Sequence, residues 1–248
     1  MGGAVDGGRG RGRLLSGVAV AVGCVLFLGG FALAALLYQP YTVPTGSMAP
    51  AVAAGDRVLA QRVDGDDVRR GDVVVFRDET WGDIPMLKRV VGVGGDEVAC
   101  CDGDGRLRIN GEPVAEPYVH SRHGASATGF DVTVPDGELF VLGDDRMDSL
   151  DSRSHITETQ TGTVPRDTVE ARVEATVWPL GRLGGLPSPG GFAELPGGIS
   201  ERGPLRPLCW AMGGGAVLIF AGAAYGPLAR RVSRTGHRRR ADAAGGAQ

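Results

Sequence analysis

Two stretches of the chain carry no charge at all, and they frame everything between them. Residues 14–38 run for 25 positions through Val, Ala, Leu, Gly and Phe, and residues 208–228 for another 21. As an α-helix the first stretch reaches roughly 37 Å, against about 30 Å for the hydrocarbon of a bilayer. A secretory signal peptide has a shorter apolar core, about 7–15 residues, ending at a small-residue cleavage site. Here the run is longer and Tyr38-Gln39-Pro40 follows it. The reading is a retained transmembrane helix, with a second near the C-terminus.

Between the two runs the pattern changes to short, Val-rich segments: Val58–Ala60, Val73–Phe76, Met86–Val91, Glu97–Cys100, Leu107–Ile109, Leu139–Leu142 and Ala171–Val177. Turn residues bound them, such as Gly71-Asp72 and Gly94-Gly95-Asp96, which is the signature of strands. Asn110-Gly111, between Leu107–Ile109 and Pro113-Val114, is a strong hairpin cue. No stretch of 39–180 sustains a helical period. The predicted fold is mainly β: an external antiparallel β-sheet or barrel-like catalytic domain between two transmembrane helices. The expected organisation is a cytoplasmic N-terminus over 1–13, a span over 14–38, a domain over 39–180, a Gly/Pro-rich linker over 181–207, a span over 208–228 and a basic tail over 229–248.

Charge gives that organisation a direction. Residues 1–38 carry three Arg and one Asp, a net of +2; residues 202–248 carry eight Arg and one Asp, a net of +7. The 163 residues between them hold 15 basic and 27 acidic side chains, a net of −12. Basic flanks remain cytoplasmic, so both termini are expected inside the cell membrane and the acidic domain outside. The Arg-rich tail reads as a topology signal and not as a nucleic-acid site. The four cysteines add little: Cys24 and Cys209 fall in or beside the spans, and the adjacent Cys100-Cys101 are poor partners for each other and lack a second pair for zinc.

Of 26 basic residues only one, Lys88, is lysine. Arg-rich coding bias accounts for the trend. A solitary Lys also marks a place where Arg does not serve, because Arg keeps its proton in a protein whereas a buried Lys can release it. Ser47 lies in Pro44-Thr45-Gly46-Ser47-Met48-Ala49-Pro50, which begins six residues past the first span; by itself a Ser in a Gly/Pro-rich loop is usually just a loop. A serine nucleophile needs a base. None of the four His (His120, His123, His155, His237) sits in a Ser-His-Asp motif, and no G-x-S-x-G elbow is present. His120 and His123 flank polar residues and read as solvated. The Ser-Lys variant remains. Strand alternation puts Lys88 on one face with Met86 and Val90, an apolar setting that lowers an amine's pKa. A third segment, Gly143-Asp144-Asp145-Arg146-Met147-Asp148-Ser149-Leu150-Asp151-Ser152-Arg153, follows the apolar run Leu139–Leu142. Ser149 is placed to orient the lysine amine, with Asp144, Asp151 and Arg153 as an ion-pair scaffold. The spacing of a calcium loop is missing.

These segments, in this order, resemble the conserved boxes of bacterial type I signal peptidases: Thr42–Met48 the nucleophile box, Gly71–Phe76 the core strand, Leu87–Gly92 with Gly95-Asp96 the lysine box, and Gly143–Arg153 the last box. The resemblance covers residues 41–153 and extends to two-span members of the family. It departs at Thr45, where Ser is usual, and at Asp145, where Asn is usual. It implies an enzyme without cofactor or metal that cleaves signal peptides from exported preproteins after small-x-small sequences, typically Ala-x-Ala. Ser47 is then the nucleophile, Lys88 the general base and the Thr45 hydroxyl part of the oxyanion hole. The substrate would add as a strand along Gln39–Pro44 and Asp83–Leu87. Trp81 and Ile84 either dip into the membrane interface or pack in the core. Two other readings stay open: a twice-tethered binding domain, which predicts Ser47 and Lys88 far apart or solvated, and a self-cleaving repressor, which the two spans and the lack of a DNA-binding helix pair oppose. Oligomeric state is not legible.

Overall fold

The computed structural model describes residues 7–119, 124–159 and 161–245. His120 and His123 lie outside them. The described residues form two compact units, one of residues up to 36 together with those from 204 onward, and the other within 37–203.

The first unit is a pair of membrane-spanning helices, α1 (Gly7–Leu37) and α3 (Leu205–Gly245), whose apolar segments are Leu14–Leu37 and Leu205–Tyr225. Small residues at seven-residue spacing form the seam. Ser16 Oγ donates to the Gly222 carbonyl at 2.7 Å. A side-chain carbon on Gly23 would stand 2.7 Å from the Gly215 carbonyl oxygen, and one on Gly30 would stand 3.0 Å from the Met212 side chain. Within a bilayer, close backbone approach of this kind is what drives helix association. Trp210, Val217 and Phe220 are exposed on α3, as lipid-facing side chains are.

The second unit holds the strands. β1 (Tyr38–Thr42), β2 (Arg57–Arg62), β3 (Val73–Phe76) and β4 (Met86–Val93) are followed by β5 (Glu97–Cys100), β6 (Leu107–Ile109), β7 (Glu112–Pro113), β8 (Phe130–Thr133) and β9 (Glu138–Leu142). After the helix α2 (Ser152–Thr159) come β10 (Val164–Pro165), β11 (Val169–Trp178) and β12 (Gly184–Gly185). The main sheet is antiparallel in the order β1-β2-β11-β3-β4-β9-β10, with β12 on β11; it remains open, a curled half-barrel with β1 and β10 at its edges. A smaller sheet runs β7-β6-β5-β8. The β6–β7 turn is Asn110-Gly111, both at positive φ, the two-residue hairpin that this dipeptide favours.

β4 is central, between β3 and β9, and is buried from Lys88 through Gly92. Its two faces feed different cores. Val90 and Met86 pack with Val74, Phe76, Trp81, Leu139 and Val141, whereas Val91 joins Val98, Leu107, Ile109, Phe140 and Leu142. Trp81 is therefore a core residue, stacked on His155 with ring centroids 4.3 Å apart, and Ile84 is exposed.

The stretch read as a linker is not one along most of its length. Phe192 is fully buried among Phe140, Leu142 and Tyr118, and Leu195 joins the same cluster. Arg182 donates to Asp56 at 2.9 Å, the Pro196 carbonyl accepts from Arg70 at 2.6 Å, and Ser200 donates to Asp72 at 2.6 Å. The sulfurs of Cys100 and Cys101, judged poor partners from sequence, lie side by side.

Candidate active site

The loop that carries Ser47 leaves β1 and is pinned where it begins. Val43 N–H donates to the Asp56 carbonyl at 2.9 Å and Gly55 N–H returns to the Val43 carbonyl at 2.8 Å. Met48 and Val52 are fully buried and hold the turn against the core, where Val58, Ala60, Val73 and Val75 receive them. This leaves Ser47 half-buried between an anchored Met48 and the open Gly46. Its carbonyl accepts from Asp145 N–H at 3.1 Å, tying the loop to the acidic segment.

Lys88 comes from the middle of the sheet, opposite Val74 on β3. Only 4 % of it is exposed, and its Nζ donates to Ser47 Oγ at 2.9 Å. Thr45 Oγ1 lies 3.4 Å from the same Ser47 oxygen. Burial pushes the Lys88 amine below the ordinary lysine value; Asp151 pulls it back up, Arg153 presses it down again and Asp144 opposes that. Desolvation wins because it penalises only the charged form. The twice-tethered binding domain predicted a distant or solvated lysine, and the amine is neither.

The acidic segment connects β9 to α2. Arg89 donates two hydrogen bonds to the Asp144 carboxylate, of 2.8 and 2.7 Å, and both side chains are at most 1 % exposed. Asp151 forms a separate fork with Arg153, 2.8 Å through each arm, and accepts from Gly143 N–H at 3.0 Å. The single scaffold expected of Asp144, Asp151 and Arg153 is thus two pairs, and Arg89 is the partner that the sequence reading omitted. Ser149 Oγ is buried with no hydrogen-bond partner among the described residues, so the expected bond to Lys88 is not formed. It sits against Gly143, where an added side-chain carbon would strike both Ser149 Oγ and the Ser47 carbonyl. That position admits only glycine.

A further pair was also missed. Glu116 accepts from Arg146 through both arms, at 2.8 and 2.6 Å, and from the Tyr118 hydroxyl at 2.7 Å. Burial works against both charges, yet each outweighs it in the other: Glu116 is held below its ordinary value and Arg146 above. The Arg89 guanidinium lies 3.9 Å over the Tyr118 ring. Arg153 Nη1 donates to the Arg146 carbonyl at 2.9 Å, so this network reaches the segment that carries Ser149. Arg89 in a central strand was the available signal, since a buried guanidinium requires an acid; Glu116 offered none.

The chain is similar to known proteins of one family. The family model for signal peptidase, peptidase S26, matches residues 14–178, from the first span to the end of β11. A probable signal peptidase I of Mycobacterium leprae is 30 % identical over 208 residues, covering 60 % of this chain and 72 % of that one. Signal peptidase I T of Bacillus subtilis is 38 % identical over 128 residues, 48 % of this chain and 65 % of its own length. A crystal structure of a signal peptidase I from Enterococcus faecalis aligns with TM-score 0.34 and 28 % identity, covering 42 % of this chain and 94 % of that one. A serine endopeptidase carried by two membrane helices is the class in view. The chain belongs to the signal peptidase family, peptidase S26, and is of the signal peptidase I type.

Proposed function

We propose that Ser47 and Lys88 carry out the serine-type cleavage of N-terminal signal peptides that this family performs, with preproteins cut after small-x-small sequences such as Ala-x-Ala. The observation that supports it most is the 2.9 Å hydrogen bond between a buried lysine amine and Ser47 Oγ. Neutral Lys88 accepts the hydroxyl proton as Ser47 Oγ bonds to the scissile carbonyl carbon; the carbonyl π pair moves to oxygen. As the C–N bond breaks, the Lys88 ammonium gives its proton to the leaving amine, and water later repeats the sequence on the acyl-enzyme. The Ser47 N–H and the Thr45 hydroxyl are the donors for the oxyanion, the kind of contact worth about 3–4 kcal/mol where one has been removed. Ser149 Oγ is the hydroxyl left over to accept from the ammonium while Lys88 holds the proton. Asp144, Asp151 and Arg153 support this geometry and do not touch the substrate.

The free backbone edges suit an extended peptide. Among the described residues, β1 is the last strand of its sheet, and β4 begins pairing with β9 only at Arg89, which leaves 86–88 without a strand partner on that side. A signal-peptide segment adds there as a strand. The basic flanks favour cytoplasmic termini and an extracytoplasmic catalytic domain. The test uses the full chain in lipid with a preprotein bearing Ala-x-Ala. Cleavage after that sequence, lost in Ser47→Ala and in Lys88→Arg, is expected. An active Lys88→Arg enzyme would refute the base assignment, because Arg has no lone pair to offer at neutral pH.

A further inference from the structure

We infer that Glu116 is a positioning residue for the Ser47–Lys88 site proposed above, acting through Arg146 to fix the Gly143 backbone against which Ser47 and Ser149 rest. The inference depends on that reading of the site. It adds a residue from outside every segment that carries the site's own groups. Glu116 lies on the stretch that follows β7, between Val114 and Tyr118, which are 1 % and 3 % exposed and belong to the core of Phe140 and Leu142. Its own side chain is 7 % exposed and that of Arg146 0 %. The Arg146 guanidinium is divided between two partners. Its Nη1 and Nη2 donate to the Glu116 carboxylate at 2.8 and 2.6 Å, and its Nε donates to the Gly143 carbonyl at 2.9 Å.

Gly143 is thereby held on both sides, because its N–H donates to Asp151 at 3.0 Å. Two residues later Asp145 N–H donates to the Ser47 carbonyl at 3.1 Å. The Gly143 backbone also passes so close to Ser149 Oγ and the Ser47 carbonyl that no side-chain carbon fits there. A glycine resists rotation of its backbone less than any other residue, so the two bonds are what fix its direction. Charge balance alone does not explain the pair. Apolar side chains of equal volume often serve a fold as well as a buried ion pair does. A planar guanidinium does something they cannot: it fixes a carboxylate through one edge and a carbonyl through another, in set directions. Glu116 aims the plane, and Nε then holds the Gly143 carbonyl where Ser47 and Ser149 need it.

The test measures kcat and KM of the full chain in lipid, with a preprotein bearing Ala-x-Ala, below the melting transition of every variant. Glu116→Gln keeps the shape and loses the charge and one accepting oxygen. It is expected to lower kcat about ten- to a hundredfold, the scale of a small misplacement at a reacting centre, with KM little changed. Arg146→Lys keeps a positive charge opposite Glu116 but has no Nε for the Gly143 carbonyl, and should lose kcat to a similar extent. The double variant should be no slower than the slower single one, because both changes break one chain of contacts. Ile109→Ala is the structural control. It opens a cavity in the same core and should lower the melting temperature while leaving kcat near that of the parent. A parental kcat in Glu116→Gln, or in Arg146→Lys should Glu116→Gln not fold, would overturn the role, as would additive losses in the double variant. An equal loss of kcat in Ile109→Ala would also overturn it, since the pair would then serve the fold alone. If the unaltered enzyme did not cut the preprotein, or if Lys88→Arg cut it, the Ser47–Lys88 reading would fall, and this role with it.

Discussion

Arg89 and Asp144 form a two-bond ion pair, with side chains 1 % and 0 % exposed, immediately beside the strand position that carries Lys88. Alternation along β4 sends consecutive side chains to opposite faces, so Arg89 anchors the acidic loop while Lys88, the proposed base, faces Ser47. Arg89 Nη1 also holds the Gly71 carbonyl at 2.8 Å, which joins the β3 turn to the same pair. Removing one partner leaves a buried charge unanswered.

The expected outcome for Asp144→Ala is a loss of about 3–5 kcal/mol in unfolding free energy, the usual cost of breaking a buried pair from one side. The double variant Arg89→Met with Asp144→Leu should lose clearly less than Asp144→Ala alone, because no charge is then stranded. Chemical denaturation of the three proteins checks this; equal losses in the single and double variants would mean that the pair is not what holds the loop.

Lys88 gives a pH dependence in two measurements. Its folded-state pKa is lowered from 10.5, chiefly by burial, and in the mechanism proposed above only the neutral amine takes the Ser47 proton. kcat/KM should therefore fall as pH falls through the depressed value, with a midpoint below that of an ordinary lysine. The same shift costs stability: the unfolded chain binds the proton more tightly than the folded one. That cost is complete below the folded pKa and gone above the unfolded one. Lys88→Met should be inactive yet more stable than the parent, with a gain that is largest at low pH and vanishes above the ordinary lysine value. A gain independent of pH would point to packing and not to a desolvated amine.

Much of the sheet was legible because its inner strands are Val-rich and bounded by Gly-Asp turns, whereas β1 was not. Its sequence, Tyr38-Gln39-Pro40-Tyr41-Thr42, lacks a clear alternation, and Pro40 is tolerated because an edge strand has a side with no ladder to break. α2 has eight residues, too few to display a helical period. Lys88 stood out by elimination, being the one lysine. Its neighbour Arg89 was overlooked because attention to one face of a strand hides the chemistry of the other. Glu116 became recognisable only once the fold had carried it 30 positions along the chain to Arg146. Phe192 was masked by composition, since Gly and Pro around it signal a connection whatever the one aromatic among them does.

That aromatic makes the third prediction. Phe192 is fully buried, and Gly71, at φ 86°, leaves no room for a side-chain carbon against Pro189. Residues 181–203 are thus part of the catalytic unit, packed over the turn that leads into β3. Phe192→Ala should cost about 3–5 kcal/mol and Gly71→Ala should also destabilise, through strain at positive φ as well as collision. Thermal unfolding of both variants is the check. A mere linker would leave the melting temperature unchanged in Phe192→Ala.

The helix pair makes the fourth. Ser16 with Gly222, and Gly23 with Gly215, stand opposite each other at seven-residue intervals on both helices. In lipid no hydrophobic effect favours one apolar neighbour over another, so close packing and the occasional hydrogen bond decide whether two spans associate. Ser16→Cys with Gly222→Cys, in a chain whose Cys24 and Cys209 are replaced by Ala, should therefore cross-link readily under mild oxidation. Adding Gly23→Leu to that chain places a branched side chain where the Gly215 backbone passes and should sharply reduce the yield. Gly29→Leu is the control, because nothing lies within 4 Å of a side-chain carbon at Gly29; it should leave the cross-link intact. If Gly29→Leu proved as damaging as Gly23→Leu, bulk alone and not this seam would govern how the spans meet.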